Sequence, residues 1–380
     1  MALFRHCLLG KINSIRPSYV PFYSTFIPES AFLTNREALG CLWNKFCGVT
    51  NSAVHEVSPL KGTHRNGGRR NEKKSYSHLR IMFVPAILKG IFPSDETEEL
   101  TPEKNLVNHI KRSILLMENG EPQKAERLLH IALKMAQDMK HEKGITYVYD
   151  TMANLAFENG EHQKAQALFV EVLKRLIGSG LAQDDIIVIN ISLKIADTFL
   201  TMGDYTKSEQ GFLFCLDSLK KKITEGASDE DTLILYTQTL DRYSLFLLHV
   251  KRPNEAVKFL ELALEMAETV FGNLNNKIGA ILLSDMGVIK TSLGEKEEAS
   301  QCFEKALAIA NQEEVDTSAA VIMVNRGLAL KESGLSEEAR HWCTMGQNLA
   351  IKEKNKSILK AAEECLKANS GNRNEGRTPL

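Results

Sequence analysis

With seven cysteines in 380 residues and no Cys-x-x-Cys pair, the chain offers neither a disulfide framework nor a thiolate zinc site. Cys7, Cys41, Cys47, Cys215, Cys302, Cys343 and Cys365 are scattered, and three of them occupy helical slots suited to a small apolar residue. The sequence therefore predicts buried free thiols in a reducing compartment. Long apolar runs are also missing. Ile81–Leu88 is broken by Pro85 and flanked by Arg80 and Lys89, well short of the roughly 20 residues that a spanning helix needs. No glycine loop for phosphate, no dinucleotide fingerprint and no HExxH helix is present. His130, His141, His162, His249 and His341 fall at unrelated positions. Glu297–Glu298 and Glu337–Glu338 sit where a first helical turn favours acidic residues. With no catalytic constellation, no metal ligands at workable spacing and no cofactor motif, the chain reads as a binding protein.

Charge is divided unevenly. Residues 1–94 hold thirteen Lys or Arg against four Glu, whereas residues 95–380 hold 34 basic and 44 acidic side chains. Such asymmetry reports targeting or a charged partner. Residues 1–28 carry Arg5, Lys11 and Arg16 with no acid before Glu29, and Phe4, Cys7, Leu8, Ile12 and Ile15 share one helical flank. That pattern predicts a mitochondrial transit peptide at 1–28. Residues 29–80, with basic and Gly/Asn/His residues crowded into Lys61–Lys74, read as a disordered basic linker. Residues 81–92, including Ile91 and Phe92, form a short apolar segment able to lie on a membrane surface or to pack against the neighbouring helical region.

What is present is repetition. Gly120, Ala125, Leu129 and Ala132 recur as Gly160, Ala165, Phe169 and Val172, then as Gly203, Ser208, Phe212 and Cys215. Ala256, Leu260 and Ala263 continue the series, with Lys251 in place of the turn glycine; Gly294, Ala299, Phe303 and Ala306 come next, and Gly334, Ala339, Cys343 and Gly346 last. Twelve residues before each small slot lies another small residue: Ser113, Ala153, Ala196, Ser244, Gly287 and Gly327. In an antiparallel helix pair the two positions face each other, and small residues allow the closest axial approach of about 8 Å. This pattern resembles the tetratricopeptide repeat. The resemblance implies an all-α, right-handed superhelical solenoid of six long helix pairs, spanning 101–369 with a C-terminal capping helix at Lys356–Asn369. The slots recur at intervals of 40, 43, 48, 43 and 40 residues, longer than the usual period of about 34. The helices must be longer or the loops larger, and Lys220–Asp231 is the expected loop for the widest gap. Residues 370–380 read as a disordered tail.

In this repeat type the second, fifth, ninth and twelfth residues of each unit point inward. They are Tyr147, Asp150, Asn154 and Phe157 in the second unit; Asn190, Leu193, Asp197 and Leu200 in the third; and Gln238, Asp241, Leu245 and Leu248 in the fourth. The first and sixth units are more apolar there, with Val107, Ile110, Ile114 and Met117, and Val321, Val324 and Leu328. No Lys or Arg occurs among the twelve, so the groove they line would repel a carboxylate and attract a basic, partly apolar peptide. The candidate partner-binding residues are Tyr147, Asp150, Asn154, Phe157, Asn190, Asp197, Gln238 and Asp241. The alternative is that the carboxylates cap, solvate or pair within the helices.

A closer similarity rests on Ile145–Gly160, on Ile191-Ser-Leu-Lys-Ile-Ala196 and on Ala263-Leu-Glu-Met-Ala267. These runs resemble a family of mitochondrial tetratricopeptide-repeat proteins that assist assembly and quality control of respiratory complex III. The likeness extends over about Leu106–Leu366. It implies inner-membrane association, peripheral or matrix-facing, and a non-catalytic adaptor that binds complex III and promotes clearance of N-terminal fragments of its Rieske iron–sulfur subunit. Nucleic acid is not an expected partner. The other reading of the repeats is a cytosolic scaffold or cargo adaptor, which requires that 1–28 not be an import signal.

Overall fold

The computed structural model describes residues 101–312, 318–353 and 355–367. The expected transit peptide, linker, apolar segment and tail lie outside the described residues, as do Cys7, Cys41 and Cys47. Six antiparallel helix pairs succeed one another: α1 (Pro102–Glu118) with α2 (Pro122–Asp138), α3 (Glu142–Glu158) with α4 (His162–Gly178), and α5 (Ile186–Met202) with α6 (Tyr205–Thr224). α7 (Glu230–His249) pairs with α8 (Pro253–Phe271), α9 (Lys277–Leu293) with α10 (Lys296–Gln312), and α11 (Ser318–Glu332) with α12 (Ser336–Lys352). A thirteenth helix, α13 (Lys356–Leu366), closes the array. The fold is an all-α solenoid of the expected unit number.

Local chemistry sets the helix starts. Thr101, Asp185, Asp204, Asp229, Asn276 and Asn355 each accept a backbone N–H of the helix they precede, satisfying donors that the first turn leaves open. His141 does the same through Nδ1, 2.8 Å from the Gly144 nitrogen. Pro102, Pro122 and Pro253 open their helices, where a missing N–H costs nothing. Asp229 moves the expected loop: α6 runs on to Thr224 and α7 begins at Glu230. Most of Lys220–Asp231 is therefore helix, and the widest repeat is wide because both of its helices have 20 residues.

Each turn within a pair passes through the left-handed region at the expected position, at Gly120, Gly160, Gly203, Gly294 and Gly334, and at Lys251 with φ 65°. Lys251 occupies the turn slot of the fourth pair at the steric cost that a Cβ carries there. The small residues meet as the spacing predicts. Ser113, Ala153, Ala196 and Ser244 are fully buried, as are Ala125, Ala165, Ser208 and Ala256. A Cβ added to Gly287 would stand 2.8 Å from the Phe303 ring, and one added to Gly327 would strike the Cys343 sulfur and lie 3.1 Å from the Ala339 carbonyl oxygen.

Between pairs the wedge is apolar and aromatic. The ring of Phe212 on α6 lies 5.6 Å from Phe246 and 6.0 Å from Tyr243 on α7, and Phe259 on α8 meets Tyr243 edge-on at 4.8 Å. The outer helices add charged ties. Glu126 pairs with Lys164 at 2.6 Å, and Glu209 accepts both Arg252 Nη1 at 2.7 Å and the Tyr243 hydroxyl at 3.2 Å.

α13 ends earlier than expected, at Leu366, and is amphipathic: Ile358, Ala362 and Cys365 are covered while Lys360 and Glu363 stay exposed. Lys331 holds its far end, donating from Nζ to the carbonyl oxygens of Cys365 at 2.6 Å and Lys367 at 2.8 Å. The cysteine expectation needs correction. Cys215 and Cys302 stand outside any disulfide, but Cys343 and Cys365 are joined in one across α12 and α13. Their sequence separation of 22 carries no motif; packing of the cap brings them together.

The turn and the tight slot each have a measurable effect on stability. Lys251→Gly relieves the left-handed turn and should stabilise the chain by about 1 kcal/mol, raising the thermal midpoint by about 2–4 °C in calorimetry. Gly287→Leu forces a branched side chain into the Phe303 ring and should cost about 1–3 kcal/mol, read as a lower urea midpoint at unchanged m-value.

Candidate functional site

The first helices of successive pairs touch one another and form the inner wall, so the inward positions are also the positions where these helices meet. This has a direct effect on the candidate residues. Tyr147, Asp150, Asn154, Asn190 and Asp241 are buried, whereas Phe157, Asp197 and Gln238 keep part of their surface. Asp150 on α3 does not face an empty groove: Lys194 Nζ, on α5, donates to its two oxygens at 2.8 and 3.0 Å. Lys194 also lies 5.5 Å from the Phe169 ring centroid. Asp150 thus conforms to the alternative reading of a carboxylate paired between helices. A buried pair of this kind is costly to break from one side only, because the remaining charge is left without its partner.

Around Asp150 the wall of α3 is polar but closed. The Asn154 amide nitrogen approaches Asp150 Oδ2 at 3.5 Å. The Asn154 carbonyl oxygen and the Tyr147 hydroxyl are buried without a hydrogen-bond partner. Burial, with the Asp150 charge adding to it, pushes the Tyr147 phenol up to about 12. The hydroxyl therefore stays protonated at neutral pH. Phe157 stacks edge-on against His162, with ring centroids 5.5 Å apart, at the turn into α4.

The next crossing, between α5 and α7, has a different charge balance. Arg242 Nε lies 3.9 Å from Asp197 Oδ2, and the two side chains keep 20% and 23% of their surface exposed. Burial opposes the guanidinium charge, but Asp197, Asp241 and Asp285 together outweigh it and hold the group charged. Burial raises the pKa of Asp197, with Arg242 pulling the other way. Carboxylates from α5, α7 and α9 thus all act on one cation, with Asp197 in ion-pair distance. At the crossing of α9 and α11 the contact is neutral, with Asn325 Nδ2 donating to Ser284 Oγ at 3.4 Å.

Lys194 and Arg242 are the residues that the inward register overlooks. Both lie one position after the fifth residue of their unit, and so does Asn325. The recurring rule is that the fifth residue of one unit meets the sixth of the next, as in Asp150–Lys194 and Ser284–Asn325. A basic residue directly beside an inward slot was the available signal. Among the described residues no group of three or more His, Cys, Asp or Glu could hold a metal ion.

The raised pKa of Asp197 has a defined pH signature. The folded state binds its proton more tightly than the unfolded chain does, so this group adds stability as pH falls towards the ordinary carboxylate range and withdraws it as pH rises. Asp197→Asn should abolish that contribution. The urea-unfolding free energy of the wild type should therefore rise relative to that of the variant between pH 7 and pH 4. A constant difference would mean that Asp197 titrates as it does in the unfolded chain.

Comparison with known proteins agrees with this architecture. A tetratricopeptide-repeat profile matches residues 231–312, within α7 to α10. Among solved structures, the Rap protein complexed with competence and sporulation factor superposes with a TM-score of 0.52 at 17% identity, covering 72% of this chain and 76% of that one. NprR in complex with its cognate peptide NprX gives 0.50 at 15% identity, covering 70% and 74%. At such identities the likeness shows the fold. Sequence relatives say more. The human protein named tetratricopeptide repeat protein 19, mitochondrial, is 33% identical over 220 residues, which span 55% of this chain and 58% of that protein. The Drosophila melanogaster homologue, also named mitochondrial, is 33% identical over 335 residues, covering 87% of this chain and 86% of its own. The chain belongs to the tetratricopeptide repeat protein 19 family.

Proposed function

We propose that this chain is a non-catalytic mitochondrial adaptor that binds respiratory complex III and supports its assembly and upkeep by promoting clearance of N-terminal fragments of the Rieske iron–sulfur subunit. A peptide surface on the inner wall is the binding element, and the crossing of α5, α7 and α9 is its charged centre. The observation that carries this reading is a partly exposed acidic and polar stretch of wall: Asp197 keeps 23% of its side-chain surface beside Arg242, and the carboxylates of Asp241 and Asp285 also act on that cation. Gln238, Leu245 and Leu248 beside them are half-buried. A fragment cut from a targeting sequence is basic and partly apolar, which suits that surface. The Asp150 region, balanced by Lys194, supplies rigidity to the wall. NprR, which shares the fold, binds a peptide. Inner-membrane association, peripheral or matrix-facing, is part of the proposal; none of the described helices is long and apolar enough to cross a membrane.

The test is a pull-down from detergent-solubilised mitochondria with the full chain and with a Gln238→Lys, Leu245→Lys variant, whose circular dichroism checks the fold. The wild type should recover complex III subunits and Rieske fragments. The variant should lose fragments by about tenfold or more, since two like charges oppose a basic ligand, while still retaining complex III. Equal recovery of fragments would move the peptide surface elsewhere. Absence of complex III from both samples would overturn the adaptor reading.

A further inference from the structure

α13 is the shortest of the described helices. Its 11 residues are too few to form a stable helix alone in water, and among the described residues it packs chiefly against α11 and α12. It packs over Ala320, Val324 and Ala350, with Val321, Leu328 and Leu349 at the margin. Three of these, Val321, Val324 and Leu328, are the inward residues of the sixth unit. The helix therefore takes the place of a seventh inner helix and closes the end of the wall.

Two attachments hold it there besides this apolar contact. One is the Lys331 ammonium on the last carbonyls of α13. The other is the Cys343–Cys365 bond, between Cα atoms 6.1 Å apart, a separation ordinary for a disulfide. Cys343 belongs to α12, one turn after the tight slot at Ala339, and is held in place by the close approach of Gly327. Its position does not depend on the cap, whereas that of Cys365 does. Both residues are buried, with exposures of 0% and 4%, so no external thiol or disulfide reaches either sulfur while α13 is docked.

We propose that Cys343 and Cys365 are a reversible thiol–disulfide site that locks the capping helix. With the bond formed, α13 is tethered at both ends, by its connection to α12 and by its last turn. With the bond reduced, α13 opens locally and uncovers Val321, Val324 and Leu328. Oxidation proceeds from the open form. The thiolate of one cysteine attacks a sulfur of a disulfide oxidant such as oxidised glutathione, expelling one thiolate and leaving a mixed disulfide. Redocking brings in the second cysteine, which displaces the second thiolate. The two protein thiols lose two protons and two electrons in total, and the oxidant is reduced to two thiols. Reduction by a dithiol is the reverse exchange. Cys215 and Cys302 are placed differently. Cys215 is buried and donates to the Ile189 carbonyl oxygen at 3.5 Å, and burial pushes the half-buried Cys302 thiol up, away from the reactive thiolate.

The full chain is incubated with oxidised glutathione or with dithiothreitol, quenched in acid, unfolded, alkylated and digested. The oxidised sample should yield a linked peptide pair containing Cys343 and Cys365, with Cys215 and Cys302 alkylated in both samples. Hydrogen exchange across 356–366 should be at least about tenfold slower in the oxidised form, since a cross-link restricts opening. In Cys365→Ala, exchange in α13 should be the same under both treatments. Cys343 and Cys365 both alkylated after oxidation would overturn the site. A linked pair with unchanged exchange in α13 would overturn the lock.

Discussion

The closest approach of two antiparallel helices, repeated six times, is the constraint on which this molecule rests. Where Ser113, Ala153, Ala196, Ser244, Gly287 and Gly327 face the small slots of their partner helices, no larger side chain fits, and no other residue type would let the axes come so near. Once that contact is made, the next apolar residue along the outer helix, Leu129, Phe169, Phe212, Leu260, Phe303 or Cys343, is left pointing into the wedge beside the contact. A pair alone cannot bury that wedge, so each one demands a neighbour. The array then ends where a shorter amphipathic helix, α13, supplies a wet outer face.

Stacking of this kind brings inner helices together and thereby determines what the wall can be. Positions that a lone helix pair would present to solvent become contacts with the next unit. Much of their chemistry is satisfied across the junction, because a buried carboxylate or amide without a partner is costly; the Tyr147 hydroxyl and the Asn154 side-chain oxygen are exceptions. Asp150 meets Lys194, Asp197 meets Arg242, and Ser284 meets Asn325. The wall is thus a series of polar crossings set between apolar ones, and its chemistry is local: an ion pair at the α3–α5 crossing, a partly exposed Asp197–Arg242 pair at α5–α7, and a neutral contact at α9–α11. A partner meets only the part of this pattern that remains exposed.

At its C-terminal end the same geometry becomes adjustable. The inner helices from α3 to α11 lie between neighbours on two sides and have 15 to 20 residues, while the cap has only 11. Besides its apolar contact, an ammonium and a sulfur secure it at one end, and under the proposed lock this is where the array opens.

Sequence alone determined the unit number, the register of the small slots and the positions of the turns, including the one at Lys251, because each depends on residues within one helical hairpin. It also determined the family, through runs such as Ile145–Gly160. The extent of α6 and α7 was less legible, since Lys220–Asp231 has loop-like composition although Asp229 within it caps α7. Which carboxylates stay exposed was not legible at all. Asp150 and Asp197 occupy equivalent-looking inward positions, yet one is closed by Lys194 from 44 residues away and the other stays partly open. The Cys343–Cys365 bond was likewise beyond spacing rules. Pairing across helices depends on the superhelical stacking of separate units, which no local pattern encodes; only the tertiary structure decided it.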